Sequence, residues 1–150
     1  MNKWDKRFME LAKHVSGWSK DPSTKVGCVI ADSKNRIVSI GYNGFPTNVN
    51  DSPELYENRD MKLQRTIHAE ANAIMFAKQD LEGCSIYVWP LPSCANCTAT
   101  IIQAGIKRVI APKPTKEQEE RWKDSFDVSD QMFKEAEVQV RLIKKEKLGC

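Results

Sequence analysis

Two short segments hold side chains whose types and spacing could do chemistry: His68-Ala69-Glu70 and Ser93-Cys94-Ala95-Asn96-Cys97. Each follows a break in the apolar pattern and opens a predicted helix. One imidazole nitrogen and two thiolates suit an open zinc site, in which the fourth position is left for water. The positive ends of the two helices favour deprotonated thiols. Zinc lowers the pKa of its water far enough to give hydroxide near neutral pH. Glu70 is the natural proton shuttle. Residues two apart do not share a face inside a regular helix, so His68 and Glu70 reach one site only around the helix end. Read separately, the cysteine pair also fits redox chemistry or a structural zinc, and His68 an ordinary helix histidine. A closed structural site normally takes four protein ligands. The remaining internal thiols fall in strand-like runs instead, Cys28 in Val26-Gly27-Cys28-Val29-Ile30 and Cys84 before Ser85-Ile86-Tyr87-Val88. Both read as inert buried thiols, and Cys150 is terminal.

The elements that must position these residues follow from periodicity. Trp4, Phe8, Leu11, Ala12 and Val15 form the stripe of an amphipathic helix. Val26–Ala31 and Ile37–Tyr42 are β-rich runs around Asp32-Ser33-Lys34-Asn35, which predicts a hairpin. After Asn43-Gly44-Phe45-Pro46 a polar stretch runs to about Arg65, long for a structureless loop and of the kind that often carries function. A helix is predicted over Ile67–Lys78 with Thr66 as N-cap, and a second over Cys94–Ala104 capped by Ser93 and closed by Gly105. Ile86–Trp89, Lys107–Ala111 and Val138–Ile143 read as strands. Thr115-Lys116-Glu117-Gln118 is a capping box opening a helix that carries Trp122, Phe126, Met132 and Phe133. This α-β-β-α-β-α-β-α-β order predicts one domain over 1–150, an α/β three-layer sandwich with a five-stranded mixed sheet. Helix starts then gather at the carboxyl ends of the parallel strands, where α/β sites form.

Composition excludes several classes. The chain of 150 residues is 41% hydrophobic and 29% charged, enough to bury a core without disulfides and unlike a disordered protein. No run approaches the roughly 18 apolar residues of a membrane span. The formal net charge of +3 is accounted for by residues 141–150, where Arg141, Lys144, Lys145 and Lys147 stand against Glu146. A neutral body with a basic tail argues against a nucleic-acid partner, which calls for a basic stripe. Five cysteines, an odd count, and no apolar leader after Met1 predict a reducing, cytoplasmic setting.

The two site segments hold the H-x-E and C-x-x-C parts of the H-x-E…P-C-x-x-C signature, and the chain resembles the zinc-dependent cytidine and deoxycytidylate deaminases that carry it. The resemblance extends to Ser19–Gly27, Gly41-Tyr42-Asn43-Gly44-Phe45-Pro46, His68–Met75 and Ile101–Lys107, which look most like the deoxycytidylate (dCMP) branch. Pro92 stands one place early, with Ser93 between it and Cys94. The long helix before the last strand makes the last two strands parallel, as in the deoxycytidylate and polynucleotide members.

The resemblance implies one catalytic zinc on His68, Cys94 and Cys97, and Glu70 as acid and base in turning dCMP into dUMP and ammonia for dTTP synthesis. It implies that the Ala69 N–H meets the pyrimidine O2, that a carbonyl at Pro92 or Ser93 accepts from the amine, and that Asn43 contacts the sugar-phosphate part. The 5′-phosphate needs a cation; Lys25 and then Arg65 are the candidates, each equally readable as a surface charge. Trp122 is a candidate base contact or a core residue. Family members are typically hexamers, activated by dCTP and inhibited by dTTP, often with magnesium. That makes Gly44, Phe45 and Pro46 allosteric candidates, although Gly44 also fits a turn with positive φ. The rival readings are a deaminase of dCTP or another free nucleotide, a tRNA or single-stranded DNA deaminase, and a non-enzymatic zinc module.

Overall fold

The computed structural model describes residues 1–148, so Cys150 lies outside the described residues. Helix α1 (Lys3–Ser16) opens on Asn2, whose side chain accepts the Asp5 N–H at 2.8 Å. Strands β1 (Gly27–Ala31) and β2 (Ile37–Tyr42) form the hairpin, and its turn is held by Asp32, whose carboxylate accepts the N–H groups of Lys34 and Arg36. Then come α2 (Pro53–Glu57), α3 (Arg59–Arg65), α4 (Ala69–Ala77), β3 (Ser85–Trp89), α5 (Ala95–Gln103), β4 (Arg108–Pro112), α6 (Lys116–Glu135) and β5 (Gln139–Ile143), with a closing 3-10 turn at Lys145–Leu148. The sheet order is β2-β1-β3-β4-β5. Strand β1 is antiparallel to both neighbours, whereas β3, β4 and β5 run parallel.

Both faces of the sheet are covered, so β1 is buried along its whole length. On one face α1 packs Phe8, Met9 and Ala12 against Val29, Tyr87 and Ile110. On the other, α4, α5 and α6 bring Ala73, Ile101 and Phe133 onto Ile30, Ile86 and Val109. Cys28 and Cys84 are buried free thiols. Among the described residues no helix is long and apolar enough to cross a membrane.

Three local expectations are corrected. The polar stretch after Pro46 folds into two short helices, started by Pro53 in the first turn of α2 and by the Asn58 side chain on the Met61 N–H. Thr66 does not cap α4: it closes α3, its hydroxyl donating to the Lys62 carbonyl at 2.6 Å, and His68 is the N-cap instead. Ser93 likewise sits one residue before the N-cap of α5, which is Cys94. Gly105 closes that helix with φ of 89°, and the Thr115–Gln118 capping box is complete.

Gly41 sets how closely α4 approaches the sheet. A Cβ there would lie 2.5 Å from the Ala69 carbonyl oxygen and 2.5 Å from the Ala73 nitrogen. Gly41→Ala is therefore expected to push α4 off β2 at a cost of about 1–3 kcal/mol. A urea-unfolding midpoint equal to that of the parent would sink this expectation.

Candidate active site

Both helix starts place their ligand residues by the same local device. His68 is the N-cap of α4, and Glu70 is the second residue of its first turn. Cys94 is the N-cap of α5, and Cys97 is the third residue of its first turn. The extended backbone at each N-cap turns His68 and Cys94 toward the same space. The His68 Nδ1 lies 3.2 Å from the Cys97 Sγ and 3.5 Å from the Cys94 Sγ. All three ligand atoms lie within 4.8 Å of one another.

The three ligand side chains shift one another's ionisation. The Cys97 thiol hydrogen-bonds to Cys94 and brings its pKa down to about 4, against burial and with help from His68. The same bond, together with burial, pushes Cys97 up. The Cys94 thiolate raises His68. A metal binding such a set displaces these protons. Glu70 is 4% exposed, and burial raises its carboxyl above the ordinary range.

A cleft of about 190 Å³ opens over the cluster. His68, Ala69, Glu70 and Cys94 line it, together with Asn43, Pro92 and Trp122. The Asn43 side chain accepts the Val26 N–H and donates to the Thr24 carbonyl, each at 2.9 Å. One amide hydrogen and one lone pair remain for a ligand. A larger hollow of about 600 Å³ beneath α6 is lined by neither the cluster residues nor Glu70.

Other sequence candidates lie elsewhere. The Lys25 Nζ donates to the Ser19 carbonyl at 2.7 Å, and Arg65 reaches the Asn50 carbonyl at 3.4 Å; neither lines the cleft. Ser93 is buried outside the cleft, and its carbonyl accepts the Ser129 hydroxyl. Gly44 does not have positive φ, because it pairs with Ile67 in an isolated antiparallel bridge. Phe45 stacks on Tyr56 at 4.1 Å, and the Pro46 carbonyl accepts the Val49 N–H. None of Gly44, Phe45 and Pro46 lines the cleft.

The cations that do line it were not singled out from the sequence: Arg59, Lys62 and Arg121. Lys62 is buried and donates to Asp21 at 3.2 Å and to Ser23 at 3.0 Å. Arg121 lies over the Trp122 ring at 5.5 Å, and Arg59 has no polar partner among the described residues. A signal was present. Arg59, Lys62, Leu63 and Thr66 follow the i, i+3, i+4, i+7 spacing of one helical face, and all four line the cleft.

Residues 2–113 match the family described as the cytidine and deoxycytidylate deaminase zinc-binding region. This chain belongs to that family. An uncharacterized deaminase from the luxG 3′ region of Aliivibrio fischeri is 51% identical over 140 residues, 93% of either chain. Human deoxycytidylate deaminase is 45% identical over 113 residues, which are 71% of this chain and 63% of the human one. The crystal structure of a dCMP deaminase from the cyanophage S-TIM5, in complex with dCMP and dUMP, aligns with a TM-score of 0.73 over 95% of this chain and 99% of that one. At 24% identity, that likeness is one of fold. Within this deaminase family the donor set fits the metal of the family's description: one imidazole nitrogen and two cysteine sulfurs within 4.8 Å of one another are ligands of the kind zinc takes.

Proposed function

We propose that the chain deaminates dCMP hydrolytically, consuming water and releasing dUMP and ammonia. The observation that carries this reading is one cleft lined by His68 and Cys94 of the three-ligand cluster, the buried Glu70 carboxyl and three cations, Arg59, Lys62 and Arg121. His68, Cys94 and Cys97 would hold zinc, which supplies a water acidic enough to ionise near neutral pH. Glu70 carries two protons in turn: the first from the attacking water to the pyrimidine N3, and the second from the hydroxyl thereby added at C4 to the departing amine, which leaves as ammonia. A carboxyl raised by burial is suited to both directions of transfer. The Ala69 N–H, first in α4 and without an intrahelical partner, donates to the base O2 in this reading. The Pro92 carbonyl accepts from the amine, Asn43 holds the sugar and Trp122 covers the base. Arg59, Lys62 and Arg121 take the 5′-phosphate, the role for which sequence reasoning put forward Lys25 and Arg65.

The ultraviolet absorbance change on mixing the protein with dCMP, dCTP, deoxycytidine and CMP separately tests the reaction. Turnover of dCMP alone is expected. Turnover of deoxycytidine or dCTP in its place would overturn the phosphate assignment. A zinc-loaded protein inert toward all of them, with salt-sensitive binding to tRNA or single-stranded DNA, would overturn the substrate class. In the same assay, Arg59→Gln is expected to raise the KM for dCMP about tenfold or more with kcat little changed, the loss of one charge-assisted hydrogen bond. An unchanged KM would remove Arg59 from the phosphate site.

The resemblance of Gly41–Pro46 to the dCMP branch supports extending this reading to a cytoplasmic hexamer that dCTP with magnesium activates and dTTP inhibits, with dUMP passing to dTTP synthesis. Repeating the dCMP assay with each triphosphate, and measuring mass in solution, tests the extension.

A further inference from the structure

Helix α5 begins with an unusual problem. Its N-cap is Cys94, a ligand residue whose side chain makes no capping hydrogen bond. The first N–H groups of a helix need an acceptor from somewhere, and for the first of them, that of Ala95, it comes from a different helix. The Ala95 N–H donates to the Ser125 Oγ of α6 at 2.8 Å. One turn further along α6, Ser129 closes a ring of buried hydroxyls on the same ligand turn. The Thr98 hydroxyl donates to the Ser129 Oγ at 2.9 Å, and the Ser129 hydroxyl donates to the Ser93 carbonyl at 3.2 Å. The Ser93 and Thr98 oxygens lie 2.8 Å apart. With the Thr98 proton already spent on Ser129, Ser93 is the donor of that pair. Ser93, Thr98 and Ser129 are 2%, 0% and 3% exposed, so no solvent substitutes for a lost partner.

These contacts bracket the ligands: Ser93 and Ala95 flank Cys94, and Thr98 follows Cys97. Trp122, Ser125, Phe126 and Ser129 follow the spacing of one face of α6, and Trp122 and Phe126 line the cleft. Regular helical backbone is broken at Trp122, with φ of −118° and ψ of 16°. The face of α6 that walls the cleft is thus the face that grips the cysteine turn.

We infer that Ser125 and Ser129 are positioning residues for the metal centre, holding the Cys94–Cys97 turn at ligand spacing from outside α5. The inference rests on the zinc reading of the cluster and not on the identity of the substrate. Partners that orient ligands typically govern metal affinity by about 10–100-fold.

The test is the rate at which a chromophoric chelator strips zinc from the purified protein, with the thiolate-to-cobalt absorption of the cobalt form read in parallel. Ser125→Ala and Ser129→Ala are each expected to release zinc about tenfold faster or more and to shift the cobalt bands. Ser125→Thr, which keeps the acceptor oxygen, is expected to restore the parent rate. Tyr87→Phe is the control for general loosening, because it removes a buried hydrogen bond to Asp5 on the other face of the sheet. Alanine variants that lose zinc no faster than Tyr87→Phe, with unshifted cobalt bands, would overturn the inference. A parent protein that binds neither zinc nor cobalt through thiolates would overturn it together with the zinc reading. A parent that holds zinc but leaves dCMP untouched would overturn only the proposed reaction.

Discussion

Glu70→Gln is expected to lower kcat for dCMP by about 10²–10⁴-fold, the range typical of a lost general acid–base, while zinc content stays at the parent level. The amide keeps the volume of the carboxyl and fills the same buried position in the first turn of α4, so the packing around Ala69 and Ala73 is preserved. What it loses is the ability to accept a proton from water and return it to the base. His68, Cys94 and Cys97 are untouched, and the amide oxygen can still accept the hydrogen bond that Cys97 gives Glu70. The measurement pairs steady-state absorbance with metal analysis of the same preparation. Turnover within threefold of the parent would remove Glu70 from the chemistry. Loss of zinc along with turnover would make it a structural support of the cluster.

The largest expected effect on stability lies on the opposite face of the sheet. Asp5, 1% exposed in the first turn of α1, accepts both Arg108 nitrogens at 2.7 and 2.6 Å and the Tyr87 hydroxyl at 2.8 Å. These bonds tie α1 to β3 and β4. Asp5→Ala leaves a partly buried guanidinium and a buried phenol without their acceptor. The expected cost is about 3 kcal/mol, equivalent to about 10 °C in Tm at this chain length.

The pH dependence gives this prediction a second arm. Burial pushes the Asp5 carboxyl up, but the hydrogen bonds from Arg108 and Tyr87 outweigh it and hold the carboxyl below its ordinary value. A carboxyl depressed in the folded state stabilises above its unfolded pKa, near 4, and that stabilisation is lost as pH falls through the folded value. The Tm gap between the parent and Asp5→Ala is therefore expected to be widest near neutral pH and to narrow below about pH 4. A gap independent of pH would mean that the ion pair contributes nothing beyond packing.

The parts of this protein determined by the sequence alone are those set by local spacing. Apolar periodicity specified the five strands and the helices α1, α4, α5 and α6, though not α2 and α3, and the long segment between β4 and β5 required a crossover and hence parallel pairing. His68 with Glu70, and Cys94 with Cys97, were legible because each pair spans less than one helical turn at a helix start. Their geometry is settled by a few backbone angles. Even there, residue type misled at the caps: Thr66 and Ser93 are good N-caps by chemistry, yet the ligand residues occupy both cap positions. Capping preference is worth about 1 kcal/mol, too little to decide the position when the chain has other constraints.

Tertiary structure alone decided which distant side chains share the cleft. Lys25 lies close in sequence to cleft-lining Thr24 and Val26, but its ammonium turns to the Ser19 carbonyl. Arg59 and Lys62 reach the cleft because the polar stretch folds as α3, and Arg121 because α6 lies across α5 beside it. Ser125 and Ser129 look like ordinary surface positions of a polar helix until α6 is laid on the cysteine turn. A one-dimensional pattern records spacing along a helix or strand. It does not record which faces the crossovers of a five-stranded sheet bring together, because that choice follows from burying the apolar surface of the whole chain at once.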